Sequence, residues 1–245
     1  MQTDTLLKTF SILSVSLTSF SSVAAESTLG INGSGELGFT DSSGNTTSTT
    51  LFAALKLNYN QTNYEIKSKF ETNYKSENHE QTEERYLIDV QSNRYYNKAR
   101  NYYSFVGGKF ENNRFAGIEL DTTLSLGLGK QLFKNEATKL ISEAGLAQQT
   151  TSYTNDVISG DQSQTALRLK LDLTHKINAQ VLFSQDITYL MGTEQTTIES
   201  NTGFKIKVAD RMNLKASYKY RHNDSPANGA KETDTQTLLT LIYDF

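Results

Sequence analysis

Thr237-Leu238-Leu239-Thr240-Leu241-Ile242-Tyr243-Asp244-Phe245 is the stretch that decides the fold. Side chains alternate sides along an extended backbone, so Leu239, Leu241, Tyr243 and Phe245 share one face while Thr240 and Asp244 share the other. A strand that is greasy on one face, polar on the other and closed by an aromatic residue has the pattern of the last strand of a bacterial outer-membrane barrel. The sequence announces its solvent before its chemistry.

The same plan recurs upstream. Parity predicts strands near residues 28–41, 48–60, 62–76, 82–96, 100–111, 117–131, 138–152, 162–176, 178–191, 195–209, 212–224 and 231–245. In the third, Tyr64, Ile66, Phe70 and Tyr74 oppose Glu65, Lys67, Lys69 and Glu71; in the eighth, Leu167, Leu169, Leu171 and Leu173 oppose Arg168, Lys170 and Asp172. In the eleventh, Leu214, Ala216, Tyr218 and Tyr220 oppose Lys215, Ser217, Lys219 and Arg221. Alternation sustained over about 10 to 14 residues exceeds the roughly 5 to 6 of an average globular strand. The expected fold is all-β: a transmembrane antiparallel up-and-down barrel of about 12 strands.

Connection lengths give an orientation. Asn60–Asn63, Lys176–Ala179 and Ala209–Met212 read as tight turns, whereas the links around Asp41–Asn45, Glu77–Gln81, Tyr153–Asp161 and Asn223–Ala230 read as mostly longer and richer in Gly, Asn, Ser and Asp. Short periplasmic turns, longer external loops and an even strand number put both chain ends in the periplasm. Tyr64 and Tyr74 share a face ten residues apart. At roughly 3.3 Å per residue and a tilt of about 40°, they span about 25 Å, the height of the lipid-facing band. With Tyr59, Tyr86, Tyr103, Tyr218, Tyr220, Tyr243 and Phe245 they are expected to form two interfacial girdles, Tyr standing in for the absent Trp. The competing reading is a soluble lipocalin-like or sandwich protein whose apolar faces meet in a core.

Composition agrees with the barrel. Hydrophobic residues make up 36% of the chain and mean hydropathy is -0.52, yet only the outward half of each strand must meet lipid. No apolar run is long enough for a transmembrane helix. The single Pro, Pro226, suits a chain made of hydrogen-bonded ladders. Cysteine is absent, which excludes disulfides and thiolate metal sites. Basic and acidic residues number 24 and 27, net -3, which leaves no nucleic-acid footprint. Residues 1–25 read as an export signal: Lys8, offset by Asp4, the short apolar stretch Phe10–Leu17, and the small residues Val23-Ala24-Ala25 before Glu26. Residues 26–245 are expected to form the barrel.

Several stretches carry a family resemblance. Gly35–Thr46, Glu84-Arg85-Tyr86, Arg114-Phe115-Ala116-Gly117-Ile118, Phe183-Ser184-Gln185-Asp186, Thr233-Asp234-Thr235 and the closing Tyr243-Asp244-Phe245 together resemble domain-of-unknown-function family 481, often labelled salt-induced outer membrane protein. The resemblance covers nearly the whole of the expected mature chain, in order. It implies an outer-membrane barrel and brings no functional residues with it.

Function is therefore sought in the interior. Parity turns Arg168, Lys170, Lys205, Lys207, Lys215, Lys219 and Arg221 inward, with Asp186 among them, and these are the candidate lumen-lining residues. A basic sector lowers the barrier for anions in a narrow pore. The expected function is a small channel with a mixed-charge, partly basic lumen and an anion preference. The alternatives are a non-conducting structural or envelope-stress barrel with a salt-bridged interior, and a hydrolase. For the last, His79, His175 and His222 are the available bases, and Ser217 or Ser225 falls near His222. No His/Asp spacing matches a metal motif, and loop acids such as Asp41, Asp156 and Asp161 read as solvated charge. No catalytic residue, metal or cofactor is expected. Tyr243 and Phe245 are the expected assembly signal, read by the barrel assembly machinery. Outer-membrane lipid and lipopolysaccharide are the other expected partners of a monomer in a Gram-negative envelope.

Overall fold

The computed structural model describes residues 29–42, 48–154, 161–226 and 230–245. Strands run in order β1 (Gly30–Ser42), β2 (Ser48–Asn60), β3 (Tyr64–Glu77), β4 (Glu80–Tyr95), β5 (Tyr102–Asn113) and β6 (Ile118–Lys134). There follow β7 (Thr138–Tyr153), β8 (Gln162–Lys176), β9 (Val181–Gly192), β10 (Thr196–Lys207), β11 (Met212–Asn223) and β12 (Thr233–Asp244). Each pairs antiparallel with its sequence neighbours, and β1 pairs with β12, closing a twelve-stranded barrel with no free edge. Closure turns the strands' backbone bonds onto one another within the protein, the condition for crossing hydrocarbon with strands. The expected export segment, residues 1–25, lies outside the described residues.

Exposure fixes which side is which. In β12, Leu239 is 65% exposed and its neighbour Thr240 is 2% exposed. Leu126 and Leu128 on β6 and Leu167, Leu169 and Leu171 on β8 are exposed, as are Tyr64, Tyr74 and Tyr218. Glu36, Glu71, Glu111 and Glu143 are buried. A soluble protein does the reverse, so this pattern inverts the lipocalin-like alternative and identifies lipid as the outer solvent. An antiparallel barrel with this exterior is an outer-membrane protein by fold.

The seam between β1 and β12 is short, covering Ser34↔Asp244 to Leu37↔Leu241. One further residue extends it: Gly33 N–H donates to Phe245 O and Phe245 N–H to Gly33 O, both at 2.9 Å. The Phe245 ring lies across Gly33, where a Cβ would come within 2.8 Å of it. The terminal aromatic thus covers a glycine left bare on the outer face, the pairing that repairs a glycine's missing side chain in a sheet.

Three expectations need correction. Tyr103, expected in a girdle, is 2% exposed and lies inside. Its ring lies over Gly129, where a Cβ would meet it at 2.1 Å, and Phe105 covers Gly127 in the same way. Inward glycines on β6 provide the space that draws both aromatics into the lumen. The outer link at Glu77–Gln81 is not a longer loop: β3 and β4 join through Asn78 and His79 alone, with φ of 50° and 68°. That left-handed pair suits a two-residue hairpin. The expected ninth strand starts late, at Val181, because Asn178 Oδ1 accepts from the backbone N–H groups of Gln180 at 2.8 Å and Val181 at 2.9 Å and holds a turn there.

Candidate functional site

Alternation along twelve strands sends one side chain in two into the lumen, where a cavity of about 940 Å³ runs among them. Its lining extends from Lys231 and Thr233 at the outer mouth down to Lys67 and Asp172, near the periplasmic ends of their strands. As many carboxylates as bases line it among the described residues. Most are already partnered.

Glu111 on β5 is fully buried among three bases. Arg85 on β4 grips it with two donors, Nε to Oε1 at 3.0 Å and Nη2 to Oε2 at 2.9 Å, and its Nη1 reaches Glu71 on β3 at 2.9 Å. Arg221 on β11 also bonds Glu111. Strands β5 and β11 stand six apart in a ring of twelve, so that pair crosses the full lumen. Lys109 on β5 meets Glu199 on β10 at 2.6 Å, and Lys219 on β11 meets Glu71 on β3 at 2.6 Å. These contacts form a belt of ion pairs bridging the barrel. Bidentate Arg geometry and shared carboxylates are what allow such charges to sit away from bulk water.

Two further groups complete the interior. Below the belt, Glu143 on β7 accepts from Tyr103 Oη at 2.7 Å, Arg168 Nη1 at 2.8 Å and Gln91 Nε2 at 2.8 Å. The Arg168 guanidinium also sits 4.8 Å from the Phe105 ring. At the periplasmic end, Glu65 accepts from Tyr95 Oη at 2.7 Å and faces Arg100 at 3.7 Å, while Arg100 covers the Tyr95 ring at 4.0 Å. Arg100 has φ of 54°, one of three non-glycine residues in the left-handed region among those described.

The residues expected to line the lumen divide into two sets. Arg168, Lys170, Asp186, Lys219 and Arg221 border the cavity. Lys205, Lys207 and Lys215 do not. Lys205 pairs with Asp244 at 3.2 Å and Lys207 with Asp210 at 3.4 Å, because both fall at the periplasmic end of β10 where the wall becomes rim. Lys215 is buried in the wall against Glu36 at 3.2 Å, whose carboxylate also accepts from Thr240 at 2.6 Å. Of the seven candidate bases, only Lys170 has no carboxylate oxygen within 4 Å among the described residues; Arg168 holds Glu143 at 2.8 Å.

Sequence reading missed Glu111, Lys109 and Glu199. On β5 apolar residues occupy both faces, Tyr103 and Phe105 inside against Val106 and Phe110 outside, so parity is blurred there. The signal was present in the spacing Gly107, Lys109, Glu111, three alternate positions without a bulky apolar side chain. As for catalysis, Ser217 is buried on the inner face of β11 while His222 lies on its outer face and meets Thr233 Oγ1 at 3.0 Å. Asp156 lies outside the described residues.

Comparison with known proteins agrees with this architecture. The NanC porin structure superposes with a TM-score of 0.51 at 11% identity, covering 87% of this chain and 98% of that one. The COG4313 outer membrane channel from Pseudomonas putida F1 gives 0.52 at 9% identity, covering 89% and 96%. These are likenesses of fold. The protein YdiY of Escherichia coli (strain K12) is 24% identical over 169 residues, 69% of this chain, which spans 65% of that relative's length. The chain belongs to the family described as protein of unknown function, DUF481, which matches it over residues 35–245.

Proposed function

We propose that this outer-membrane barrel is a narrow passage for small ions and solutes, with the ion-pair belt as its constriction. The observation that carries the reading is the cavity itself: about 940 Å³, reaching from the outer mouth nearly to the periplasmic strand ends. Twelve strands fall between eight, where side chains fill the interior, and sixteen, where a wide aqueous channel opens. The names of two barrels of like fold, a porin and a channel, are in keeping with it.

The charge preference in this proposal is weak. Six of the seven bases expected to favour anions each have a carboxylate within 4 Å, and a paired base offers a permeant anion little. Lys170 is the uncommitted one of the seven, so what anion preference these seven confer rests mainly on it. The barrel acts as a monomer without enzymatic activity, with lipid, lipopolysaccharide and the assembly machinery as its partners. The opposite faces taken by Ser217 and His222 argue against the hydrolase reading.

The test is planar-bilayer conductance under a potassium chloride gradient. Wild type should conduct with a reversal potential close to zero, and Lys170→Glu should move it toward cation preference, most at low salt. Folded wild type that passes no current would favour the second reading, a non-conducting structural barrel, for which the cross-lumen bonds Arg221–Glu111 and Lys109–Glu199 are the specific support.

A further inference from the structure

The register of the sheet places two pairs of like charges side by side. Lys56 on β2 lies directly opposite Lys69 on β3, and Asp172 on β8 lies directly opposite Asp186 on β9. Like charges facing each other across adjacent strands repel and weaken a sheet. Here the two pairs are related: β2 and β8, and β3 and β9, each stand six strands apart in the ring of twelve, so a lysine wall looks across the lumen at an aspartate wall. Lys67, two residues from Lys69, joins the first wall, and the cavity touches all five side chains. Asp186 attracts Lys56 and Lys69 across this space, and Asp172 attracts Lys67. None of these opposed pairs closes to 4 Å, the distance of an ion pair, among the described residues. The walls hold a field across open space.

Each wall keeps unused capacity. Lys69 is engaged by Glu71 at 2.7 Å and Lys67 by Glu65 at 3.6 Å, whereas Lys56 has no carboxylate oxygen within 4 Å among the described residues. On the other side, Asn201 donates Nδ2–H to Asp186 at 3.0 Å, and no base comes within 4 Å of Asp172 or Asp186 among the described residues. Two carboxylates side by side with no paired base attract a donor carrying positive charge.

We propose that the periplasmic half of the lumen is a subsite for small zwitterionic solutes, with the carboxylate at Lys56 and Lys69 and the ammonium at Asp172 and Asp186. This rests on the passage reading and deepens it by naming a solute class. A simple anion gains at the lysine wall and is repelled by the aspartates; a simple cation meets the reverse. A zwitterion gains at both, provided it lies across the axis. A neutral solute of the same size gains at neither.

The test uses L-alanine and lactamide, isomers of which only the first is a zwitterion at pH 7. Liposomes carrying the full-length barrel are placed in either solute and swelling is followed by light scattering. L-alanine should enter about five-fold faster than lactamide, the ratio that roughly 1 kcal/mol provides. In the double variant Asp172→Asn with Asp186→Asn the ratio should fall to about one. That variant relieves a like-charge contact, so it should fold, which heat-modifiability checks. Equal entry of both solutes into wild-type liposomes, above the rate for empty ones, would overturn the inference and leave the passage intact. If neither enters, the passage reading fails. Saturation-transfer NMR of L-alanine on the detergent-solubilised barrel then decides the subsite: transfer lost in the double variant supports it, and no transfer to wild type overturns it.

Discussion

Replacing Glu111 with Gln removes one charge from the middle of the belt while keeping the side chain's shape. Glu111 is fully buried and accepts two bonds from Arg85, at 3.0 and 2.9 Å, and another from Arg221, with Lys109 at 3.7 Å. Breaking a buried ion pair by removing one partner costs about 3 to 5 kcal/mol, because the remaining charge is left unpaired. Arg85 keeps Glu71 at 2.9 Å and Arg221 keeps Glu199 at 3.7 Å, so the lower end applies, about 3 kcal/mol. With a denaturant slope of about 2 kcal/mol/M, the urea midpoint for folding into lipid vesicles should fall by about 1.5 M. The chain has no Trp, so the folded fraction is best read from heat-modified gel mobility. Glu119→Gln, at an exposed site, is the control and should stay within about 0.5 kcal/mol of wild type. If the two variants unfolded together, the belt would be a set of hydrated charges with water able to replace each partner, and the reasoning would fail.

Leu169→Arg should cost about 2 to 4 kcal/mol in the same assay if it meets mid-bilayer, while the neighbouring inward change Lys170→Ser should be mild; the opposite ranking would invert the inside and outside assigned to β8. Deleting Phe245 removes two backbone bonds and the ring over Gly33, and should lower the amount of folded barrel recovered from outer membranes; unchanged recovery would show that the short β1–β12 seam closes without it. Tyr103→Phe removes one bond to Glu143, at 2.7 Å, and should cost about 1.5 to 3 kcal/mol, as bonds to charged groups do; a loss below about 0.5 kcal/mol would mean that Gln91 and Arg168 satisfy that carboxylate alone.

Strand number and facing were legible because lipid favours an apolar residue at every second position; β8 keeps that rule from Leu167 to Leu173 and β11 from Met212 to Tyr220, while β3 keeps it apart from Ser68 and Thr72. The rule is one-sided. It dictates what faces lipid and leaves the lumen free, so Leu238 and Ile242 on β12 and Tyr103 and Phe105 on β5 turn inward against the simple pattern. Parity also cannot tell which inward charges meet. Arg221 and Glu111 are 110 residues apart in sequence and opposite in the ring, and their contact follows from strand stagger and lumen width. Hence the basic wall read from β8, β10 and β11, Lys170 apart, is divided among acids drawn from β1, β3, β5, β7, β10 and β12 and the turn residue Asp210.

In the proposed passage the lumen conducts and the belt limits the current. Single-channel recording of wild type beside Arg221→Gln, which cuts the contact with Glu111 across the full width of the barrel, tests this most directly. A small steady wild-type conductance should rise several-fold in the variant, in barrels shown by gel mobility to be folded. Folded barrels that pass no current in either form would contradict it.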